Sequence, residues 1–219
     1  MASTKARGID LRCFTYIDIL QPQTAGFLGT VSRGYHPLKG QASLFIEVAP
    51  GMDINVVSDI ALKQTSCTPS MQIVERHFGV LELHEYDQGQ VRAAGEAILT
   101  ALDLQVEQRL KPRVVSQETI TGITGYHSQI VNRMRHGNFI EEGYVLYVLE
   151  VHPAGYALLA TNEAEKAADI DVLEFQAVGA FGRVYLGGTE DQIAEAAKAA
   201  VKALDEIAGR PNDVRVDTA

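Results

Sequence analysis

The chain contains no tryptophan and only two cysteines, Cys13 and Cys67. Two thiols build no disulfide scaffold, and neither sits at zinc-motif spacing. Both are expected to be buried thiols of a reducing compartment. Cys67 lies in Thr-Ser-Cys-Thr-Pro, with no base or cation beside it, so its expected role is packing rather than nucleophilic chemistry. Long apolar runs are also missing. No stretch reaches the roughly 18–20 uninterrupted apolar residues of a membrane span, and Met1–Gly8 lacks the hydrophobic core of a secretory signal. A cytoplasmic location with no membrane partner is expected. Positive charge is scarce: 19 Lys and Arg stand against 28 Asp and Glu, a net charge of −9. That balance disfavours a general nucleic-acid binder, whose affinity comes from basic groups on phosphates.

Catalytic signatures are absent too. There is no Walker loop, no dinucleotide fingerprint and no Gly-x-Ser-x-Gly elbow. The six histidines, His36, His77, His84, His127, His136 and His152, form no His-x-x-x-His pair and no His/Cys cluster. They are expected to be isolated surface or loop residues. Neither a metal nor a cofactor is expected, and the chain does not read as an enzyme.

What the sequence does contain is a repeat. Its 219 residues, 46% hydrophobic and 21% charged, suit one large domain or two small ones. Shifted by 103 residues, the chain matches itself: Glu47-Val48 falls on Glu150-Val151, Pro50 on Pro153, Lys63 on Lys166 and Phe78-Gly79 on Phe181-Gly182. Gly34 and Gly40 fall on Gly137 and Gly143. Beyond Leu83 the offset drops to 102, so Val91 meets Ile193 and Leu102 meets Leu204. One offset aligning glycines, prolines and apolar positions together implies duplication. The copies span residues 9–111 and 112–209, with tails at 1–8 and 210–219. The basic, proline-containing Arg109–Arg113 reads as a short linker, and the segment after Gly209 as mobile.

Within copy one, Leu11–Leu20 and Ser43–Val48 read as strands. Gln21–Ser32 is of helix length, with Pro22 in its first turn and Gly34 at its end. Asp53 is placed to cap a helix bearing Ile54, Val57, Ile60 and Ala61. Met71–Val74 and Val80–Leu83 suggest a hairpin around Gly79, followed by a helical stripe at Val91, Gly95, Ile98 and Leu102. The last helix of copy two has a capping box at Thr189 and Gln192, a stripe from Ile193 to Ile207, and Gly209 as its stop. The order strand, helix, strand, helix, strand, strand, helix, read twice, predicts an α+β fold. Each copy is a ferredoxin-like, four-stranded, mainly antiparallel sheet with helices on one face.

The copies differ at one turn. Copy one reads Val74-Glu75-Arg76-His77-Phe78-Gly79, where copy two reads Ala177-Val178-Gly179-Ala180-Phe181-Gly182. A bulky charged triplet is replaced by a small neutral one inside the same frame. Such residues are ordinarily solvated. Two similar domains in one chain can, however, replace two subunits of a ring. Three chains then give a pseudo-sixfold ring in which charged and small turns alternate about the axis. Lys63 and Lys166 recur late on the second helix of each copy, where a helix dipole favours a cation.

The segment Asp-Ile-Ala-Leu-Lys63, the turn Ala177-Val-Gly-Ala-Phe-Gly-Arg183 and the alanine-rich last helix resemble bacterial microcompartment shell domains. The whole pattern resembles the tandem-domain, trimeric shell proteins (BMC-T). Leu20–Gln23, Gly29–Arg33, Val74–Arg76 and Phe78-Gly79 resemble their gated, double-stacking carboxysome type. The resemblance implies circularly permuted domains and a pseudohexameric homotrimer tiling with other shell hexamers and pentamers. It also implies two trimers stacked face to face around a central pore for small charged metabolites. Glu75 and Arg76 would be the pore gate. His77, Phe78, Gly79, Val178, Gly179, Ala180, Phe181 and Gly182 would form the pore loops, and Lys63 and Lys166 the shell-edge contacts. The alternative from another class is a soluble trimeric ferredoxin-like ligand-binding or signalling protein.

Overall fold

The computed structural model describes residues 8–213. Copy one contains β1 (Asp10–Ile17), α1 (Pro22–Val31), β2 (Ala42–Ala49), α2 (Ile54–Gln64), β3 (Thr68–Glu75), β4 (Phe78–Glu85) and α3 (Gln88–Leu102). Copy two repeats the order with β5 (Arg113–Ile120), α4 (Gly125–Met134), β6 (Val145–His152), α5 (Tyr156–Ala167), β7 (Asp171–Gln176), β8 (Gly182–Gly188) and α6 (Glu190–Asp205). Both sheets are wholly antiparallel, ordered β1-β2-β4-β3 and β5-β6-β8-β7.

The duplication reaches the backbone. Register shifts at Leu11/Cys13 and Pro69/Met71 recur at Val114/Ser116 and Val172/Glu174. Gly40 and Gly143 share a φ of 86°, and Ala49–Pro50 and His152–Pro153 are both cis. The change of offset falls between β4 and α3, because Asp87 caps α3 where Thr189 caps α6. Thr189 and Gln192 form the expected capping box.

Several local expectations need correcting. The β3–β4 hairpin turns at Arg76-His77, since Glu75 pairs directly with Phe78. Gly79 lies in β4, where a Cβ would come 2.2 Å from the Gly51 carbonyl oxygen; it is required by close packing and not by the turn. Asp53 makes no side-chain cap, because a single 3₁₀ turn over Gly51–Asp53 leads straight into α2. The last helix ends at Asp205 rather than at Gly209. Gly209 instead lies against Arg109 and Leu110.

The linker is not loose. Leu110 is 1% exposed, its N–H donates to the Arg12 carbonyl, and Leu110 bridges to Arg210. The expected mobility after Gly209 fails at least as far as Asn212, which is 8% exposed and hydrogen-bonded to His152 and Lys111. The rest of that tail, from residue 214 on, lies outside the described residues, as does most of the tail at 1–8. Two histidines contradict the surface expectation: His84 and His152 are both buried. Cys13 and Cys67 are buried free thiols, and burial raises the pKa of each.

Helices do not keep to one face. On sheet β1–β4, α2 and α3 cover the face carrying Leu44, Ile46, Val48, Leu81 and Leu83. The opposite, outer face, with Cys13, Phe45 and Val80, is covered by α1 and by α5 of copy two. This explains why β2 is buried along almost its whole length while β6 alternates. It also explains α5, which is buried on every side from Tyr156 to Asn162, whereas its counterpart α2 buries a single stripe.

Candidate functional site

The two hairpin turns are held by the same device. The backbone of Gly79 packs on the turn before α2, and that of Gly182 packs on the turn before α5, where a Cβ would lie 2.3 Å from the Ala154 carbonyl oxygen. Phe78 is half-buried beneath the Arg12 guanidinium, 3.7 Å from its ring centre. Phe181 sits edge-on to His152 at 6.1 Å. Each Phe-Gly pair therefore anchors the base of its turn, and what lies beyond it is free to differ.

Beyond the anchors the turns diverge. In copy one the strands run to the tip, leaving a two-residue connection of Arg76 and His77. Arg76 has a φ of 53°, a left-handed conformation that costs a non-glycine residue about 1–2 kcal/mol. Its side chain is 87% exposed, with Nε 3.7 Å from Glu75 Oε1. His77 is exposed. In copy two pairing stops at Gln176–Arg183, and Ala177–Phe181 form a wider loop with Gly179 at φ 111°. Val178 is half-buried and Ala180 exposed. Ile73 and Glu75 of one copy and Val178 and Gly179 of the other line one cleft of about 490 Å³, so both turns open on the same side of the molecule.

Lys63 and Lys166 occupy the last turns of α2 and α5. Each pairs along its own helix, Lys63 Nζ with Asp59 at 2.7 Å and Lys166 Nζ with Glu163 at 3.5 Å. Both ammonium groups remain largely exposed. The structure does not bring the lysines together with the turns.

Two buried polar groups escaped the sequence reading. At the domain seam, Arg12 Nε donates to Glu47 Oε1 at 2.6 Å, and the Gly155 N–H donates to Glu47 Oε2 at 3.2 Å. Arg12 Nη2 donates to His152 Nε2 at 3.0 Å, so the His152 proton sits on Nδ1 and is given to Asn212 Oδ1 at 2.9 Å. Burial, and then the Arg12 charge, lower the His152 pKa to about 4. Burial raises that of Glu47, against the pull of Arg12. The second group lies in copy one alone: Ser43 donates to Glu82 at 2.5 Å, and Glu82 contacts His84 Nδ1 at 3.0 Å. Copy two has Leu146, Tyr185 and Gly187 at those positions. The available signal was a charge recurring inside an apolar strand, as Glu47 and Glu150 do. Among the described residues no cluster of three metal-ligating side chains occurs, and no helix is long and apolar enough to cross a membrane.

Residues 11–108 match the family described as the CsoS1D N-terminal domain. The chain is 48% identical over 203 residues to the carboxysome shell protein CcmP of Synechococcus elongatus, covering 93% of this chain and 95% of that protein. It is 44% identical to the carboxysome shell protein CsoS1D of Prochlorococcus marinus, over 94% of this chain and 80% of that one. Among solved structures, the fused permuted hexameric shell protein MSM0275 from the RMM microcompartment superposes with a TM-score of 0.88. It is 45% identical, over 90% of this chain and 99% of that one. The double ringed trimeric shell protein MSM0271 from the same microcompartment gives 0.90 at 38% identity, over 93% of this chain and all of that one.

Two permuted α+β domains in one chain, joined through a buried seam and presenting unequal turns, define a tandem-domain microcompartment shell protein, structural rather than enzymatic. The chain belongs to the family of the carboxysome shell proteins CcmP and CsoS1D. The microcompartment shell is its location. Nothing favours the soluble ligand-binding alternative.

Proposed function

We propose that three copies close into a pseudohexameric ring whose axis is a gated pore, with Glu75 and Arg76 as the gate. One observation carries this reading. Arg76 holds a left-handed conformation at the turn where copy two uses Gly179, and both turns open on one side. A strained arginine retained where glycine would fit points to a use for its side chain. In the closed state, Glu75 and Arg76 of neighbouring chains pair across the axis. In the open state they swing aside, as the weak 3.7 Å contact within one chain permits. Exposed pairs are worth about 0–1 kcal/mol each, so the two states lie close in energy. A ring of arginines draws small anionic metabolites toward the opening. The small loop of copy two leaves space for them to pass.

With relatives named as carboxysome shell proteins at 44–48% identity, a carboxysome shell is the setting this reading favours. Other hexameric and pentameric shell proteins are the lateral partners there. Face-to-face stacking of two trimers belongs to the same reading, and a relative at 38% identity is described as double ringed.

The double variant Glu75→Ala/Arg76→Ala is expected to keep the trimer and show a permanently open axis in cryo-EM maps. An occluded axis in that variant rules out the gate. Lys63 and Lys166 are the edge contacts in this reading. Lys63→Ala/Lys166→Ala is expected to weaken two-dimensional arrays in electron micrographs. Surface replacements of this kind shift folding stability by no more than about 0.5 kcal/mol. Arrays as extensive as those of the wild type would remove the lysines from the edge.

A further inference from the structure

The glutamate that recurs in the second strand of each copy is neutralised from different places. In copy one, Glu47 lies in register with Val80 and takes its cation from Arg12. In copy two, Glu150 lies in register with Arg183, whose Nε donates to Glu150 Oε1 at 2.9 Å. One repeat away from Arg12 stands Val115, and one repeat away from Arg183 stands Val80. The copies thus place one arginine differently, on the first strand in copy one and on the last in copy two.

The position on the first strand is a bulge. The register of β1 shifts between Leu11 and Cys13, which leaves Arg12 out of the ladder and re-aims its side chain. Copy two has the same bulge between Val114 and Ser116, with the apolar Val115 on it. Arg183 stays with its own sheet, its side chain 45% exposed. Arg12 is buried and reaches the other domain.

The contacts of the Arg12 guanidinium lead to both turns. It lies 3.7 Å from the ring centre of Phe78, the residue that directly follows the Arg76-His77 tip. Its Nη2 donates to His152 Nε2 at 3.0 Å, and the His152 ring stands edge-on to Phe181 at 6.1 Å. Its Nε holds Glu47, whose other oxygen accepts the Gly155 N–H at 3.2 Å. That N–H belongs to the turn on which Gly182 packs. Two routes therefore join the base of the charged turn to the base of the small one, through His152 and through Glu47, and both pass through Arg12. The first needs an unprotonated Nε2, which burial secures by lowering the His152 pKa to about 4. Neither end of that route recurs: Val115 matches Arg12, and Ala49 matches His152.

We propose that Arg12 and His152 are positioning residues for the pore turns, tying the charged turn of copy one and the small turn of copy two into one unit that shifts together. The two-state element is the charged turn, open or closed, and Arg12 reads its state through Phe78. When Phe78 shifts, the guanidinium resting on it shifts, and so does the imidazole facing Phe181. A buried cation does not follow one partner and desert the others, because stranding Glu47 costs more than the exposed contacts of the gate are worth. Three chains around an axis then open as three two-turn units rather than as six separate turns. This deepens the gate proposed above and rests on it.

The test reads hydrogen exchange by mass spectrometry in the intact chain at neutral pH. Two segments are followed, residues 78–80 at the base of the charged turn and 182–184 at the base of the small one. Phe78→Leu perturbs the first base directly. In the otherwise wild-type chain it is expected to speed exchange at 182–184 about fivefold or more, the low end for coupled sites. With the link cut, the same replacement is expected to speed exchange at 78–80 but to change it at 182–184 by less than about twofold. His152→Ala cuts the link with the residue that copy one carries at the matching position. Arg12→Lys cuts it from the other side and keeps a cation for Glu47, since one ammonium does not serve Glu47, His152 and the Phe78 ring together; it replaces His152→Ala if that variant does not fold. A purely structural role makes the effects additive, with the same Phe78→Leu ratio at 182–184 in every background. That result, or no acceleration at 182–184 in the otherwise wild-type chain, overturns the proposal. An occluded axis in Glu75→Ala/Arg76→Ala overturns the gate and leaves these exchange ratios as they are, so the two failures are distinguishable.

Discussion

Glu47→Ala is expected to lower the unfolding free energy by about 3–5 kcal/mol, the range for removing one partner of a buried ion pair. Glu47 is fully buried and Arg12 is 6% exposed, so the stranded guanidinium has no water to turn to. It keeps the ring of Phe78 and the Nε2 of His152, neither of which carries a compensating charge. The Gly155 N–H loses its acceptor as well, which loosens the start of α5 against the first sheet. The paired replacement Arg12→Met/Glu47→Leu is expected to lose less than Glu47→Ala, because it removes both desolvated charges together and leaves only the neutral Gly155 N–H and His152 Nε2 without their partners. Denaturant midpoints at matched chain concentration measure both, since association shifts apparent stability. A Glu47→Ala loss below about 1 kcal/mol would contradict the burial argument.

The second large effect is acid-linked loss of stability through His152. Its ordinary pKa of 6.5 falls to about 4 in the fold. Above pH 6.5 the ring is neutral in both states. Between 6.5 and 4 only the unfolded chain takes the proton, so unfolding becomes more favourable as pH drops through that window. The accumulated loss by pH 4 is about 3 kcal/mol. The groups facing the ring are Arg12 from β1, Arg113 from β5 and Asn212 from the C-terminal segment, with Glu47 on the far side of Arg12. Glu47 acts in the opposite sense: its raised pKa makes the folded state take its proton first, which offsets part of the loss at the acid end. Subtracting the pH profile of His152→Gln separates the two groups. A wild-type profile no steeper than that of the variant between pH 6.5 and 4 would show that His152 is not held neutral.

The duplication was legible because its markers are backbone constraints. Gly79 and Gly182 meet carbonyl oxygens of the turns before α2 and α5, and Gly34 and Gly137 meet those of β3 and β7. Positions that admit no Cβ change least between copies, so the repeat shows in glycine and proline when most side chains have diverged. The asymmetry of the turns was legible for the complementary reason, since an unconstrained tip is free to change its charge. The seam was not legible. Arg12 meets Glu47 across 35 residues and His152 across 140, and no local pattern carries that information. Periodicity places Phe45 and Val148 on the outer faces of their strands, but it does not say that Phe45 is fully buried within the chain and Val148 only half-buried. The same gap made His152 read as a loop residue and made the segment after Gly209 read as loose.

That segment has a consequence for the ancestry of the fold. Arg210 pairs with Asp10 and also touches the Gln108 carbonyl, while Leu110 reaches Arg12 and Lys111 reaches Arg210. The beginning and end of each domain therefore abut, and all four ends gather at one junction. Where ends touch, a gene can be recut to start at a different strand, or doubled in tandem, without any strand changing its neighbours. Permutation and fusion then need only peptide bonds exchanged at that junction, which makes the order of elements along the chain far easier to revise than their arrangement in space.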